Sequence, residues 1–134
     1  MSSSAESSTN PETWYRESYA PLWAENPADH IEQILDHYAT NIWTHGDNGE
    51  ITQHETDAWL RAPMQEWLAD GWINATLQRL EANPINTTTA SFKADWLDHY
   101  KEAPEEHDCG WYLADYLDGK WQITTYAGIS CDSF

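Results

Sequence analysis

The sequence predicts an α+β domain in which three N-terminal helices pack on one side of a mostly antiparallel sheet. Two observations predict it. Helix start signals and apolar residues spaced three and four apart are confined to the first half of the chain. Beyond Gly71 the apolar residues alternate with a period of two between turn signals, which is the pattern of strands.

The first helix opens at Asn10-Pro11, an N-cap followed by proline at the first helical position. Trp14, Tyr15, Ser18, Tyr19 and Leu22 follow on one side until Pro21 disturbs the last turn. Asn26-Pro27 repeats the device, with Asp29 in the first turn where a carboxylate suits the helix dipole. Ile31, Ile34, Leu35 and Tyr38 then place an apolar stripe on this second helix. "IWTHGDNGEITQH" reads as a short hairpin around Asn48-Gly49. A third helix, expected from near Thr56 to Gly71, turns Trp59, Leu60, Met64, Trp67 and Leu68 inward, and Pro63 predicts a kink or a start delayed to that point. Four strands complete the domain: "INATLQRLEA", then "TTASFKADWLDHY" with Ala90, Phe92, Ala94 and Trp96 alternating, then two strands joined at Asp118-Gly119.

At 134 residues the chain is one domain, expected over 10–134, behind a disordered Ser-rich tail over 1–9. With 40% hydrophobic residues and nine Trp it can bury a substantial core. Against six Lys plus Arg stand 23 Asp plus Glu, a formal net charge of −17. That field repels phosphate backbones and anionic lipid, so neither nucleic acid nor a membrane is an expected partner, and the acid excess is read as habitat or solubility. "MSSSAESST" has neither a basic start nor an apolar run, and the expected address is cytoplasmic. In that setting the sequons at Asn74 and Asn86 are chance matches.

If Asp118-Gly119 is a two-residue turn, Leu117 pairs with Lys120, Tyr116 faces Trp121, Ala114 faces Ile123 and Tyr112 faces Thr125. Tyr112, Ala114, Tyr116, Trp121 and Ile123 then form a core face continued by Ala127 and Ile129. The opposite face carries Trp111, Leu113, Asp115 and Tyr126, too apolar for a plain solvent face, and predicts a homodimer through it. Asp115 is read as structural, bonded across that interface or to Gln122. The same register puts Cys109 and Cys131 on opposite faces and predicts free thiols, unless a β-bulge between them shifts one strand.

The helix "WYRESYAPLW", the segment ending "ILDHYA", the hairpin "THGDNGEITQ", the helix "ETDAWLRAPMQEWLADG", the strand "TASFKADW" and the closing "WYLADYLDGKWQITTY" occur in an order that resembles the nuclear transport factor 2-like superfamily. This is the cystatin-like cone fold shared by SnoaL-like polyketide cyclases and ketosteroid-isomerase-like proteins, and the resemblance spans roughly residues 11 to 130. It implies a strongly curved sheet wrapping the helices in its concave face, an apolar pocket inside the cone and frequent dimerisation through the sheet. Functions in the superfamily range over isomerases, dehydratases, cyclases, ligand binders and inactive subunits, so the fold does not choose among them. Ketosteroid-isomerase-like relatives usually hold a proton-abstracting Asp after the second helix or in the hairpin. Here "YATNIWTHGD" has no carboxylate before Asp47, which departs from that pattern.

The pocket residues expected are Tyr15, Tyr19, Tyr38, Trp59, Trp96, Tyr112, Trp121 and Ile123, fitting a small organic ligand. Asp98 continues the inward face of Ala90 to Trp96, and a carboxylate in an apolar pocket can exchange a proton near neutral pH. If the loop after Tyr100 lets the apolar faces of the two strands match, Tyr112 sits across from Asp98, the candidate acid or base. A turn at Asn48-Gly49 would pair His45 with Thr52 and Trp43 with His54, bringing the two histidines onto one face beside Asp47. Two His and a turn Asp are an incomplete ligand set, so no metal is expected. The absence of a Gly-rich phosphate loop and of a Ser nucleophile leaves no cofactor implied.

Overall fold

The computed structural model describes residues 10–134, and the expected tail over 1–9 lies outside the described residues. Asn10 caps the first helix by accepting from the Thr13 amide at 3.0 Å, and Pro11 follows at the first helical position. This helix, α1 (Pro11–Trp14), runs without a break through a π-helical turn, Tyr15–Tyr19, into α2 (Ala20–Ala24). Pro21 accounts for the wide turn. It has no amide to donate to the Glu17 carbonyl and its ring crowds that carbonyl, so the chain loosens and the Ala20 amide bonds to Tyr15 five residues back. The consequence is that Tyr15 and Tyr19 both point into the core.

A 3₁₀ turn, Pro27–His30, leads to α3 (Ile31–Asp36). The apolar spacing carries this helix on to Tyr38, but the structure ends it at Asp36 and makes Tyr38 the first residue of β1 (Tyr38–His45). Parallel pairing with the last strand decides the matter, since the Ile123 amide donates to the His37 carbonyl at 2.9 Å. β2 (Ile51–Glu55) returns antiparallel. The connecting turn is longer than two residues, closed by Gly46 donating to Glu50 and with Gly49 at φ 82°. Register therefore shifts by one, pairing His45 with Ile51 and Ile42 with His54. His45 and His54 fall on opposite faces, and His54 bonds Thr44 Oγ1 instead.

Helix α4 (Thr56–Ala69) begins at Thr56 and continues through Pro63. Then β3 (Trp72–Pro84), β4 (Thr89–Tyr100), β5 (Glu106–Leu117) and β6 (Lys120–Ile129) form the meander, and a 3₁₀ turn, Cys131–Ser133, follows. The six strands lie in the order β2-β1-β6-β5-β4-β3, antiparallel except between β1 and β6. The sheet is curved and open, with the helices packed against it. Among the described residues no helix is long and apolar enough to cross a membrane.

The final hairpin follows the predicted register only in part. Asp118 and Gly119 both have positive φ, 53° and 83°, as a type I′ turn requires, and pair Leu117 with Lys120. Ala114 still faces Ile123, but Leu113 faces Thr125, so Thr124 is a β-bulge. Every later residue of β6 swaps faces. Tyr126 turns inward opposite Tyr112, while Ala127 and Ile129 turn outward opposite Trp111 and Cys109. Tyr126 is thus corrected from the outer face to the inner one, leaving Trp111, Leu113 and Asp115 outside, half-buried. Asp115 accepts from Thr89 Oγ1 at 2.7 Å, not from Gln122.

The bulge also corrects the cysteines. With Cys131 carried to the outer side, its Cα lies 5.3 Å from that of Cys109, and the two form a disulfide. Among the described residues no free thiol remains. Gly110 on β5 makes room for the two inward tyrosines: a Cβ there would stand 2.9 Å from the Tyr126 ring and 3.1 Å from Tyr112.

Candidate ligand cavity

Helices and sheet enclose a core of stacked and edge-on rings. Phe92 lies between Trp14 and Tyr15, with ring centroids 5.8 and 5.0 Å away, and Trp121 packs against Trp14 and Tyr116. Beside this core, between α4 and the inner face of β3 to β6, a cavity of about 600 Å³ remains open. Its deep wall is buried Tyr19, Tyr38, Leu60, Ala75, Trp96 and Tyr112. Trp67, Asp70 and Asp108 are exposed and form the mouth with the half-buried Asp98 and Tyr100.

Of the residues expected in the pocket, Tyr19, Tyr38, Trp59, Trp96 and Tyr112 line the cavity, and Asp98 lines it too. Tyr15, Trp121 and Ile123 do not: they are fully buried in the packed core behind it. Trp72, Tyr126, Tyr100, Asp70 and Asp108 line the cavity and escaped the sequence reading. The bulge hid Tyr126, whereas Trp72 and Asp70 sit at a helix-to-strand junction that has no period. Asp108 pairs with Trp96 and so shares the inner face that the alternation from Ala90 to Trp96 marks.

The tyrosines form a bonded group. Tyr19 and Tyr38 share a hydrogen bond of 2.5 Å between hydroxyls, and Trp96 Nε1 donates to the Tyr15 hydroxyl at 3.3 Å. Burial raises the pKa of Tyr15, Tyr19, Tyr38 and Tyr112 above the ordinary phenol value and pushes Tyr126 up to about 12. These phenols stay neutral at physiological pH, and those that line the cavity, Tyr19, Tyr38, Tyr112 and Tyr126, offer a ligand hydrogen bonds rather than bases. The Trp23 indole N–H lies in the same wall and approaches the Tyr19 hydroxyl, but among the described residues it meets no acceptor at full hydrogen-bond geometry.

Asp98 pairs across β4 and β5 with Glu106, not with Tyr112, which faces Phe92. Its carboxylate accepts from Trp72 Nε1 at 3.0 Å, and among the described residues no tyrosine hydroxyl bonds it. Its pKa is pushed up to about 6, chiefly by burial; the Trp72 bond opposes this, and Asp108 and Glu106 add to it. Asp108, exposed as a residue, turns its carboxyl to the cavity wall, where partial loss of water and then Glu106 raise its pKa as well. Asp98 can therefore take or give a proton near neutral pH, with neutral phenols and an indole N–H around the same space.

A raised pKa makes Asp98 a cost to the fold once it ionises. Its contribution is fully present below the unfolded-state value and is lost as pH rises through about 6. Asp98→Asn keeps an acceptor for Trp72 and is expected to stabilise the protein by about 1 kcal/mol at neutral pH, the full shift being discounted for solvent at this half-buried group. The gain should vanish below about pH 4. Urea unfolding of both proteins at the two pH values checks this, and a gain independent of pH would refute the desolvated-carboxylate account.

A metal has little to hold on to. Asp95, Cys109 and Cys131 bring ligand-type atoms within 4.8 Å of one another on the outer face. The sulfurs are joined to each other, and the thiolate form is the one that binds metals. Asp95 is in any case occupied, by His107 Nδ1 at 2.7 Å and Arg79 at 3.5 Å.

No family model matches the sequence, and no curated protein does. Solved structures do. A protein of unknown function from Shewanella oneidensis, described as NTF-2 like, superposes with a TM-score of 0.64 at 14% identity, covering 84% of this chain and 90% of that one. The chain has the nuclear transport factor 2-like fold. An uncharacterised cystatin-like-fold protein from Caulobacter vibrioides gives 0.64 at 14% identity over 94% of this chain and 92% of that one. A Shewanella frigidimarina protein provisionally assigned as a ketosteroid isomerase gives 0.59 at 14% identity over 81% and 88%. At such identities the likeness carries the nuclear transport factor 2-like architecture and no activity. Within that architecture this chain places its cavity-lining acids on β4, on β5 and, with Asp70, at the end of α4, and none on β1.

Proposed function

We propose that this protein binds a small organic molecule in the cavity between α4 and the sheet. The observation that carries this reading is the cavity itself. Beside a core of packed rings about 600 Å³ stays open, within the range of small-molecule sites. Aromatic walls supply apolar area, and the phenols and the Trp23 N–H supply a few directed polar contacts. Ala75 stands in the wall, buried and paired across the strands with Asp98. A thermal-shift screen of aromatic and polyketide-like compounds should find ligands that stabilise the wild type, by about 2.7 kcal/mol at a hundredfold excess over Kd. Ala75→Leu, which projects into the cavity, should abolish the shift. A library with no stabilising member, or shifts that survive Ala75→Leu, would argue against the cavity as the site.

A second reading is favoured by Asp98. A carboxyl that titrates near pH 6 at the wall of an apolar cavity suits acid/base proton transfer on a carbonyl or hydroxyl compound. Loss of turnover, but not of binding, in Asp98→Asn would support that reading over binding alone.

A further inference from the structure

The charge carried by the cavity walls has a single sign. Asp70, Asp98 and Asp108 all line it, and no Lys, Arg or His does. Four of the six Lys and Arg are committed elsewhere: Arg16 to Glu12, Arg61 to Glu32 and Asp57, Arg79 to Asp95, Lys120 to Asp36. His99, next to Asp98 in sequence, bonds Thr76 and Glu105 instead of entering the cavity. Lys101 follows Tyr100 on the exposed loop and is not part of the wall.

Two acids in the sheet show what is missing. Asp95, buried on the outer face, meets the Arg79 guanidinium at 3.5 Å and shares a hydrogen bond with His107 at 2.7 Å. Asp98, half-buried on the inner face, has one neutral donor, Trp72 Nε1, and among the described residues neither it nor Asp108 has an ion pair. Carboxylates drawn partly out of water are ordinarily paired, and these two line a cavity together with Trp67, Trp72 and Tyr100. Electron-rich ring faces and carboxylates together favour a weakly hydrated organic cation. A net charge of −17 draws such a cation toward the mouth and repels carboxylates and phosphates.

Resting on the cavity reading above, we propose that the ligand is an organic ammonium ion. Its charged nitrogen sits at the mouth between Asp98 and Asp108, and its apolar body lies inward against Trp59, Trp72 and Trp96.

Three probes with one body and three charges test it: 4-phenylbutylammonium, 4-phenylbutanol and 4-phenylbutyrate, titrated calorimetrically into the full chain at neutral pH and moderate salt. The ammonium is expected to bind at least about tenfold tighter than the alcohol, and the carboxylate more weakly than either. Asp98→Asn combined with Asp108→Asn should remove the advantage of the ammonium, bringing it to the affinity that the same variant shows for the alcohol. Ala75→Leu separates the cavity from the acidic surface and should weaken ammonium and alcohol together. Equal binding of alcohol and ammonium by the wild type would overturn the proposal while leaving the cavity as a site. Ammonium binding that persists in Ala75→Leu would also overturn it, as association with the surface. Failure of all three probes to bind would overturn this proposal and count against the cavity reading beneath it.

Discussion

Replacing Cys109 by Ser is expected to lower the unfolding free energy by about 3 kcal/mol, from the chain entropy released when a loop of this length is opened. The bridge joins residues 22 apart, tying the end of β6 to the start of β5 on the outer face. Urea unfolding of the wild type with and without a dithiol reductant should show the same loss, and the variant should be insensitive to reductant. If reduction leaves the wild type unchanged, the loop is already held by the pairing of Cys109 with Ile129 and the bridge adds nothing. The experiment also bears on setting, since thiols in a reducing compartment default to the open form.

A larger loss, about 4 kcal/mol, is expected from Phe92→Ala. Phe92 is wholly buried at the centre of β4, against Trp14 and Tyr15 from the helices and opposite Tyr112 on β5. Removing its ring leaves a hole bounded by large aromatic groups that cannot collapse far. Leu117→Ala, on a residue 52% exposed beside the hairpin turn, serves as the contrast and should change stability by about 0.5 kcal/mol or less. Similar costs at the two positions would mean that the aromatic core is not the main support of the fold.

Element type was legible wherever local chemistry and period agreed. Asn10-Pro11 and Asp118-Gly119 each specify backbone geometry within a few residues, and the alternation from Ala90 to Trp96 leaves one choice of inward face. Errors appeared where a distant partner overrode a local pattern. Tyr38 fits the helical stripe of Ile31, Ile34 and Leu35, but parallel pairing with β6 takes it into a strand. The hairpin around Asn48-Gly49 is one residue off because Gly46 and Glu50 close a wider turn, and that single step sends His45 and His54 to opposite faces.

The same holds for the site. Asp98 was found because its inward direction follows from the period of its own strand. Its true neighbours, Trp72, Asp108 and Tyr126, arrive from three other places in the chain and were not. Thr124 shows most plainly why. A bulge adds one residue to one strand, and since side chains alternate with a period of two, everything beyond it changes face. No local signal marked it, yet it brings Tyr126 into the cavity and Cys131 to Cys109.

By itself, then, the sequence determined the two-layer α+β architecture, the acidic surface and the inward direction of Asp98, because these depend on composition, caps, turns and periodicity within a segment. Only the tertiary structure decided which aromatic residues fill the core and which border open space, that among the described residues the acids at the mouth form no ion pair, and that the cysteines meet. These depend on register between strands far apart in sequence, where a shift of one residue exchanges the inside for the outside.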